Sequence, residues 1–411
     1  MRRLVTVPVL LAVFTALAAG QDSSELLARM KAMEERIKAL EAEVQALKSQ
    51  QPASPAPAQP APETAPPPLP ALPQAGALPV YGGAGASAAK AFNPDISIIG
   101  DFIGAAGNGA GSPTPSLEMH ESEAGFSAII DPYARADVFI SFGEHGVDLE
   151  DGYVTFPSLP GALQLRVGKM RAAFGKVNTL HNHVLPWTDR PLVTQNLVGG
   201  EEGIADAGLS LSRILPAPNQ IFLEATAQIF RGDSEGVFRA ERRSDVSAVG
   251  HLRAYRDITE STNLDLGGSF ARGHSPDSPG TNRLFGLDAT LRWKPLRRSI
   301  YRSFTGRGEL IWAHAQAGGA QPLAKSLGYF VSADYQLGRR WFLGSRFDRS
   351  ERLAGPGSRD TGGSLLLTYW PSEFSQVRGQ LRRTRSGEGR TDYELLFQFL
   401  FSIGAHGAHA F

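Results

Sequence analysis

Histidine spacing is the first feature that suggests chemistry. His181-x-His183 and His406-x-x-His409 could each offer two imidazoles to a zinc or copper ion. Neither pair has a cysteine or an HExxH helix beside it, so the signal is weak, and no metal or cofactor is expected. The chain has no cysteine at all, which excludes disulfides, thiolate zinc sites, cysteine nucleophiles and a thiol-linked lipid anchor. Serines and histidines are present, yet no motif isolates a nucleophile with its base, and no enzymatic activity is expected. The glycine-rich stretch from Gly104 to Gly111 lacks the Lys-Ser/Thr that completes a phosphate loop. With 41 basic and 41 acidic side chains in 411 residues, the chain carries no electrostatic footprint of a nucleic-acid binder.

What such residues can do depends on the elements that carry them. Met1-Arg2-Arg3, an apolar run from Leu4 to Leu17 and the small residues Ala18, Ala19 and Gly20 form a secretory signal over 1–20. Leu26, Met30, Met33, Ile37, Leu40, Val44 and Leu47 then alternate in steps of four and three. That is an a/d heptad seam, predicting a coiled-coil helix over 22–50. At roughly three heptads it needs partner helices to be stable. Eleven prolines within 52–79 make 51–93 a Pro/Ala/Gly-rich spacer of extended chain with no core.

From residue 94 to 411 the hydrophobic period is two. In Phe285-Gly-Leu287-Asp-Ala289-Thr-Leu291-Arg-Trp293 one face is apolar and the other polar, and the pattern recurs from Leu327 to Leu337. Sixteen such segments run from 95–106 to 392–403, many of them nine to twelve residues long, enough for a tilted bilayer crossing. The fold class expected is an all-β transmembrane barrel of about sixteen antiparallel strands, preceded by the α-helical segment. Long connections (107–120, 172–203, 231–244, 273–281, 315–325 and 349–360) alternate with tight ones such as Pro132-Tyr133 and Thr259-Glu260. Long external loops and short periplasmic turns are the bacterial outer-membrane pattern, and this arrangement puts the coiled coil in the periplasm. Tyr153, Trp293, Trp312, Tyr335, Trp341, Tyr369 and Trp370 are placed for interfacial girdles. The last strand carries Tyr393, Leu395, Phe397, Phe399, Phe401 and Ile403 on one face, and Phe411 ends the chain, a terminal aromatic similar to the signal read by the barrel-assembly machinery.

The stretch Val147-Asp-Leu-Glu-Asp-Gly-Tyr-Val-Thr-Phe156 is followed by Leu163-Gln-Leu-Arg-Val-Gly-Lys-Met-Arg-Ala-Ala-Phe-Gly175. Together they resemble the phosphate-selective porin O/P family, in which an acidic strand and a short turn lead to a strand ending Gly-Lys/Arg-Phe/Met-basic-small-small-Phe-Gly. The resemblance implies a trimeric barrel, often with an N-terminal coiled coil. Leu180-His-Asn-His-Val-Leu-Pro-Trp-Thr-Asp-Arg-Pro191 looks like a set of barrels often labelled TonB-dependent receptors, but a coiled coil and spacer stand where such receptors carry a plug. The third loop of general porins folds inward, which makes 172–203 the expected constriction here, with His181, His183, Asp189 and Arg190 as its chemistry.

Strand parity turns Arg135, Arg166, Arg253, Arg292, Arg307, Arg346, Arg378 and Arg382 inward, but also Asp101, Asp137, Asp148, Glu150, Glu224, Asp265, Asp288, Glu309, Asp334, Asp348 and Glu394. The basic set does not outnumber the acidic one, and opposite charges on neighbouring strands commonly pair and hold shape. Arg166, Arg292, Arg307, Arg378 and Arg382 are the wall residues expected to steer charge. The function expected is passive diffusion of small hydrophilic solutes or ions through a trimer in outer-membrane lipid. Its rivals are a tether from outer membrane to peptidoglycan through the coiled coil, and a plugless receptor for a metal complex.

Overall fold

The computed structural model describes residue 35 and residues 94–109, 114–144, 146–276, 280–315, 324–353 and 355–404. Apart from residue 35, the signal segment, coiled coil and spacer, and the tail bearing His406, His409 and Phe411, lie outside the described residues. Sixteen strands follow one another: β1 (Asp95–Gly107), β2 (Leu117–Asp131), β3 (Ala134–Gly143), β4 (Gly146–Leu159), β5 (Leu163–Arg171), β6 (Ala205–Leu215), β7 (Phe222–Phe230) and β8 (Ser247–Thr259). They continue as β9 (Thr262–His274), β10 (Thr281–Trp293), β11 (Phe304–Ala315), β12 (Ala324–Gln336), β13 (Trp341–Arg352), β14 (Gly355–Ser372), β15 (Ser375–Arg385) and β16 (Thr391–Gly404). Each pairs antiparallel with its sequence neighbours, and β1 pairs β16 from Ser97↔Gly404 to Gly107↔Glu394, so the barrel closes without an edge.

Period-two sequence forms these strands because successive side chains leave the sheet on opposite sides. The outer set is apolar and uncovered by protein: Leu287 and Leu291 on β10, Leu365 and Leu367 on β14, Leu395, Phe397 and Phe399 on β16. In water this surface would be a severe aggregation hazard, whereas in hydrocarbon it is the surface the solvent demands. Long joins sit at one end of the barrel and mostly short turns at the other. Turn chemistry is visible at Asp131, whose Oδ1 accepts the Tyr133 N–H at 2.7 Å across the β2–β3 hairpin.

Two expectations need correction. The connection expected over 349–360 is mostly strand, because β13 runs on to Arg352 and β14 begins at Gly355. Its Gly, Arg and Asp residues resemble a loop but sit in a ladder that continues with polar partners, such as Glu351↔Arg359 and Ser350↔Asp360. Tyr153, expected in a girdle, faces inward instead. A bulge between Phe139/Ile140 and Leu149/Asp151 shifts the parity of β4, and Tyr153 lies under Arg166 with its ring 5.2 Å from the guanidinium.

The buried core lies inside the barrel. Residues 172–203 leave β5, form two short 3-10 turns (Val177–Thr179 and Asn182–Val184) and a helix α1 (Leu192–Leu197), then enter β6. Phe174, Val177, Leu185, Trp187, Val193 and Leu197 from this segment pack with Phe230, Leu284, Ile311, Phe330 and Leu366 from the inner wall. Burying each such side chain is worth about 1.5–3 kcal/mol relative to exposure. This segment is therefore folded onto the wall by an apolar interface of its own.

Candidate functional site

The segment 172–203 crosses the lumen on a series of polar anchors. At its base Ala172 N–H donates to Ile204 O at 2.8 Å, and Asn178 bridges the two ends through Ala172 O, Ile204 O and Ile204 N–H. Gly175 N–H donates to Ser269 Oγ at 2.9 Å, and the N–H groups of Lys176 and Val177 both donate to Glu309 Oε1 at 2.5 and 2.7 Å. Lys176 Nζ reaches Asp265 at 2.6 Å. Gly175 adopts a left-handed φ of +61°, and a Cβ there would stand 3.1 Å from the Glu309 carboxylate oxygens. Only glycine makes that approach without strain.

Farther along, His181 meets the opposite wall. Its Nδ1 lies 2.5 Å from Glu123 Oε2 on β2 and 3.0 Å from Glu150 Oε2 on β4, and its Nε2 lies 3.0 Å from Asp151 Oδ2. Burial alone would push this imidazole toward its neutral form. The carboxylates of Asp151, Glu123 and Glu150 outweigh that and raise its pKa well above the ordinary histidine value. His183 is buried beside it, with ring centroids 5.8 Å apart. Leu185 O then accepts from Arg378 Nη1 at 3.0 Å, and Thr188 N–H donates to Gln380 Oε1 at 3.0 Å.

Asp189 is the strongest pin. Its Oδ2 accepts from Arg346 Nη2 on β13 and Arg382 Nη1 on β15, each at 2.8 Å, and its Oδ1 accepts from Gln380 Nε2 at 2.5 Å. Burial would raise the pKa of this carboxyl, but the two guanidiniums hold it down to about 2. Arg346 also stacks on Trp187 at 5.1 Å, joining the pin to the apolar interface. Finally Leu192 N–H donates to Asp348, and Asn196 Nδ2 to Asp360.

Two cavities flank the segment. One of about 430 Å³ is lined by Leu185, Arg307, Asp334, Phe342, Trp370 and Arg378. The other, of about 410 Å³, is lined by Tyr153, Arg166, Glu224, His251, Arg253 and Asp288. Of the residues singled out from sequence, His183, Arg307 and Arg378 line the first space and Arg166 and His181 the second, Arg307 paired to Asp334. Asp189 and Arg382 come together, and Arg382 is paired to Glu394 as well. Arg378 is buried among Thr368, Gln376, Gln398 and Leu185 O, with polar but no carboxylate partners among the described residues. Arg190 is buried and braces its own segment, donating to Asn182 Oδ1, Val177 O and Leu180 O. Arg292 sits half-buried on β10, away from the β15 arginines.

Sequence reasoning missed Glu121, Glu123 and Asp151 around His181, and Lys176 on Asp265. Glu150 and Asp151 are consecutive, so alternation alone would admit only one of them to the lumen. The β4 bulge admits both. Serine–histidine proximity does occur: Ser269 Oγ lies 2.8 Å from His251 Nδ1. That hydroxyl also accepts the Gly175 N–H, so it serves to hold the segment.

No family model matches the sequence. An uncharacterized protein of Aquifex aeolicus (strain VF5) is 29% identical over 388 residues, covering 78% of this chain and 81% of the relative. Among solved structures, the anion-selective porin from Comamonas acidovorans superposes with a TM-score of 0.54 at 12% identity, covering 76% of this chain and 99% of the porin. OmpT, an outer-membrane protein of Vibrio cholerae, gives 0.51 at 9% identity over 75% of this chain and 97% of its own. The outer-membrane channel DcaP of Acinetobacter baumannii gives 0.50 at 11% identity, over 76% and 96%. This chain has the fold of the outer-membrane porins.

Proposed function

We propose that the chain is an outer-membrane porin through which small hydrophilic solutes or ions diffuse passively, with residues 172–203 as its constriction. The observation that carries this reading is a segment fixed across the inside of a closed barrel, with a cavity on either side of it. A bore set by a rigid insert selects by size, and by whichever charges line it. Most charges here are spent on one another: Arg253 with Asp265, Arg307 with Asp334, Arg382 with Glu394 and Asp189. Arg166 makes no ion pair among the described residues, and it shares its cavity with Glu224 and Asp288. Selectivity by charge is accordingly weak, which favours a general pore over a phosphate-selective one.

In this reading the long-loop end faces outward and both chain ends lie in the periplasm, with the coiled coils of a homotrimer below the membrane. The test is single-channel recording of the full chain in a planar bilayer, with the reversal potential taken in a salt gradient. Steps in threes with a reversal potential near zero are expected. Folded protein that gives no steps would move the assignment to a structural tether, and a strong ion preference would overturn weak selectivity.

A further inference from the structure

We propose that Glu123, His181 and His183 bind one divalent transition-metal ion of the zinc class, which staples residues 172–203 to the wall at β2 and β4. A donor atom from each of the three lies within 4.8 Å of the other two, and all three side chains are buried. Glu123 Oε2 stands 2.5 Å from His181 Nδ1 and 3.9 Å from His183 Nδ1. Donors around a tetrahedral zinc ion at ordinary bond lengths sit about 3.4 Å apart, so Glu123 needs to shift by about 1 Å or less relative to each imidazole. Two imidazoles and a carboxylate suit zinc and its first-row neighbours better than calcium, which takes oxygen.

Three further observations point to a cation. Glu121, Glu123 and Glu150 form a second buried group within the same limits, sharing Glu123 and able to supply an additional oxygen. Glu121 is 7% exposed and its Oε1 has no hydrogen-bond partner among the described residues. Asp151 Oδ2, 3.0 Å from His181 Nε2, is placed as the outer carboxylate that orients a metal-bound histidine through its other nitrogen. Four buried carboxylates, those of Glu121, Glu123, Glu150 and Asp151, surround the two imidazoles, and Arg171 reaches Glu150 at 3.4 Å.

The test is calorimetric titration of the untagged, chelator-stripped full chain with Zn²⁺ alone, followed by metal analysis after dialysis. One ion per chain is expected, weakened at least tenfold by His183→Ala and by Glu123→Gln, and tenfold to a hundredfold by Asp151→Asn. Should the variants fail to fold, Co²⁺ added to the wild-type chain should give the intense visible absorption of a four-coordinate site. No stoichiometric binding by a folded barrel overturns the proposal. So does a weak six-coordinate cobalt spectrum, or binding that survives in both ligand variants and disappears instead with His406→Ala and His409→Ala. Metal content is read without any channel recording, so failure here leaves the porin assignment untouched.

Discussion

Asp189 shows how one buried charge can hold the crossing segment to the wall. Two guanidiniums and an amide converge on it, so replacing it leaves Arg346 with Asp348 and Arg382 with Glu394 as their remaining carboxylates. Asp189→Asn should cost less than the roughly 3–5 kcal/mol of a buried charge left wholly unpaired, because each guanidinium keeps one carboxylate. The observable is increased current noise and larger single-channel steps. Because the folded pKa of about 2 lies below the ordinary 3.8, the pin's contribution is fully present above about pH 4 and is lost as pH falls through 2. Asp189 therefore predicts no loosening between pH 8 and 5, and recordings stepped from pH 5 to pH 2 should show it begin below about 4. Gly175→Ala tests the other anchor. A left-handed alanine costs about 1–2 kcal/mol, and its Cβ also crowds the Glu309 carboxylate. A lower melting temperature with altered conductance is expected, whereas Gly363→Ala, where a Cβ meets open space, should change neither.

For the elements, the strands were largely legible and the crossing segment only partly so. Strand count, order and most boundaries follow from period-two alternation, which burial on one face enforces. The inward fold of 172–203 came from family resemblance, yet the strands themselves carried a signal for it. Ile311, Phe330, Leu366 and Leu396 occupy lumen-facing positions beside apolar outward neighbours, so their strands are apolar on both faces there. A strand bounded by lipid on one side and water on the other does not need that. One covered by an insert does. Of the carboxylates around His181, Glu150 was legible by parity, whereas Asp151 was not, because a one-residue bulge in β4 inverts parity there. Trp187→Ala should test the insert's own interface. Losing this buried ring against Phe330 costs about 3–5 kcal/mol, while the barrel stays closed. Protease access to the segment should rise with strand content by circular dichroism unchanged.

For the whole molecule, the outer surface and the filled interior place opposite demands on one sheet. The outer face must stay apolar: Leu367→Arg should destabilise the barrel by about 2–4 kcal/mol if it lies near the bilayer midplane, measured by denaturant unfolding in lipid. Deleting residues 22–93 should leave the size of an individual step unchanged, since the barrel closes through β1 and β16 alone. The central claim is that 172–203 limits passage through an otherwise open barrel. Its most direct measurement compares single-channel conductance of the intact chain with a variant in which 176–199 is replaced by a short glycine–serine link. The account predicts discrete steps from the intact chain and clearly larger steps from the variant. Equal steps from the two folded proteins, or none from either, would contradict it.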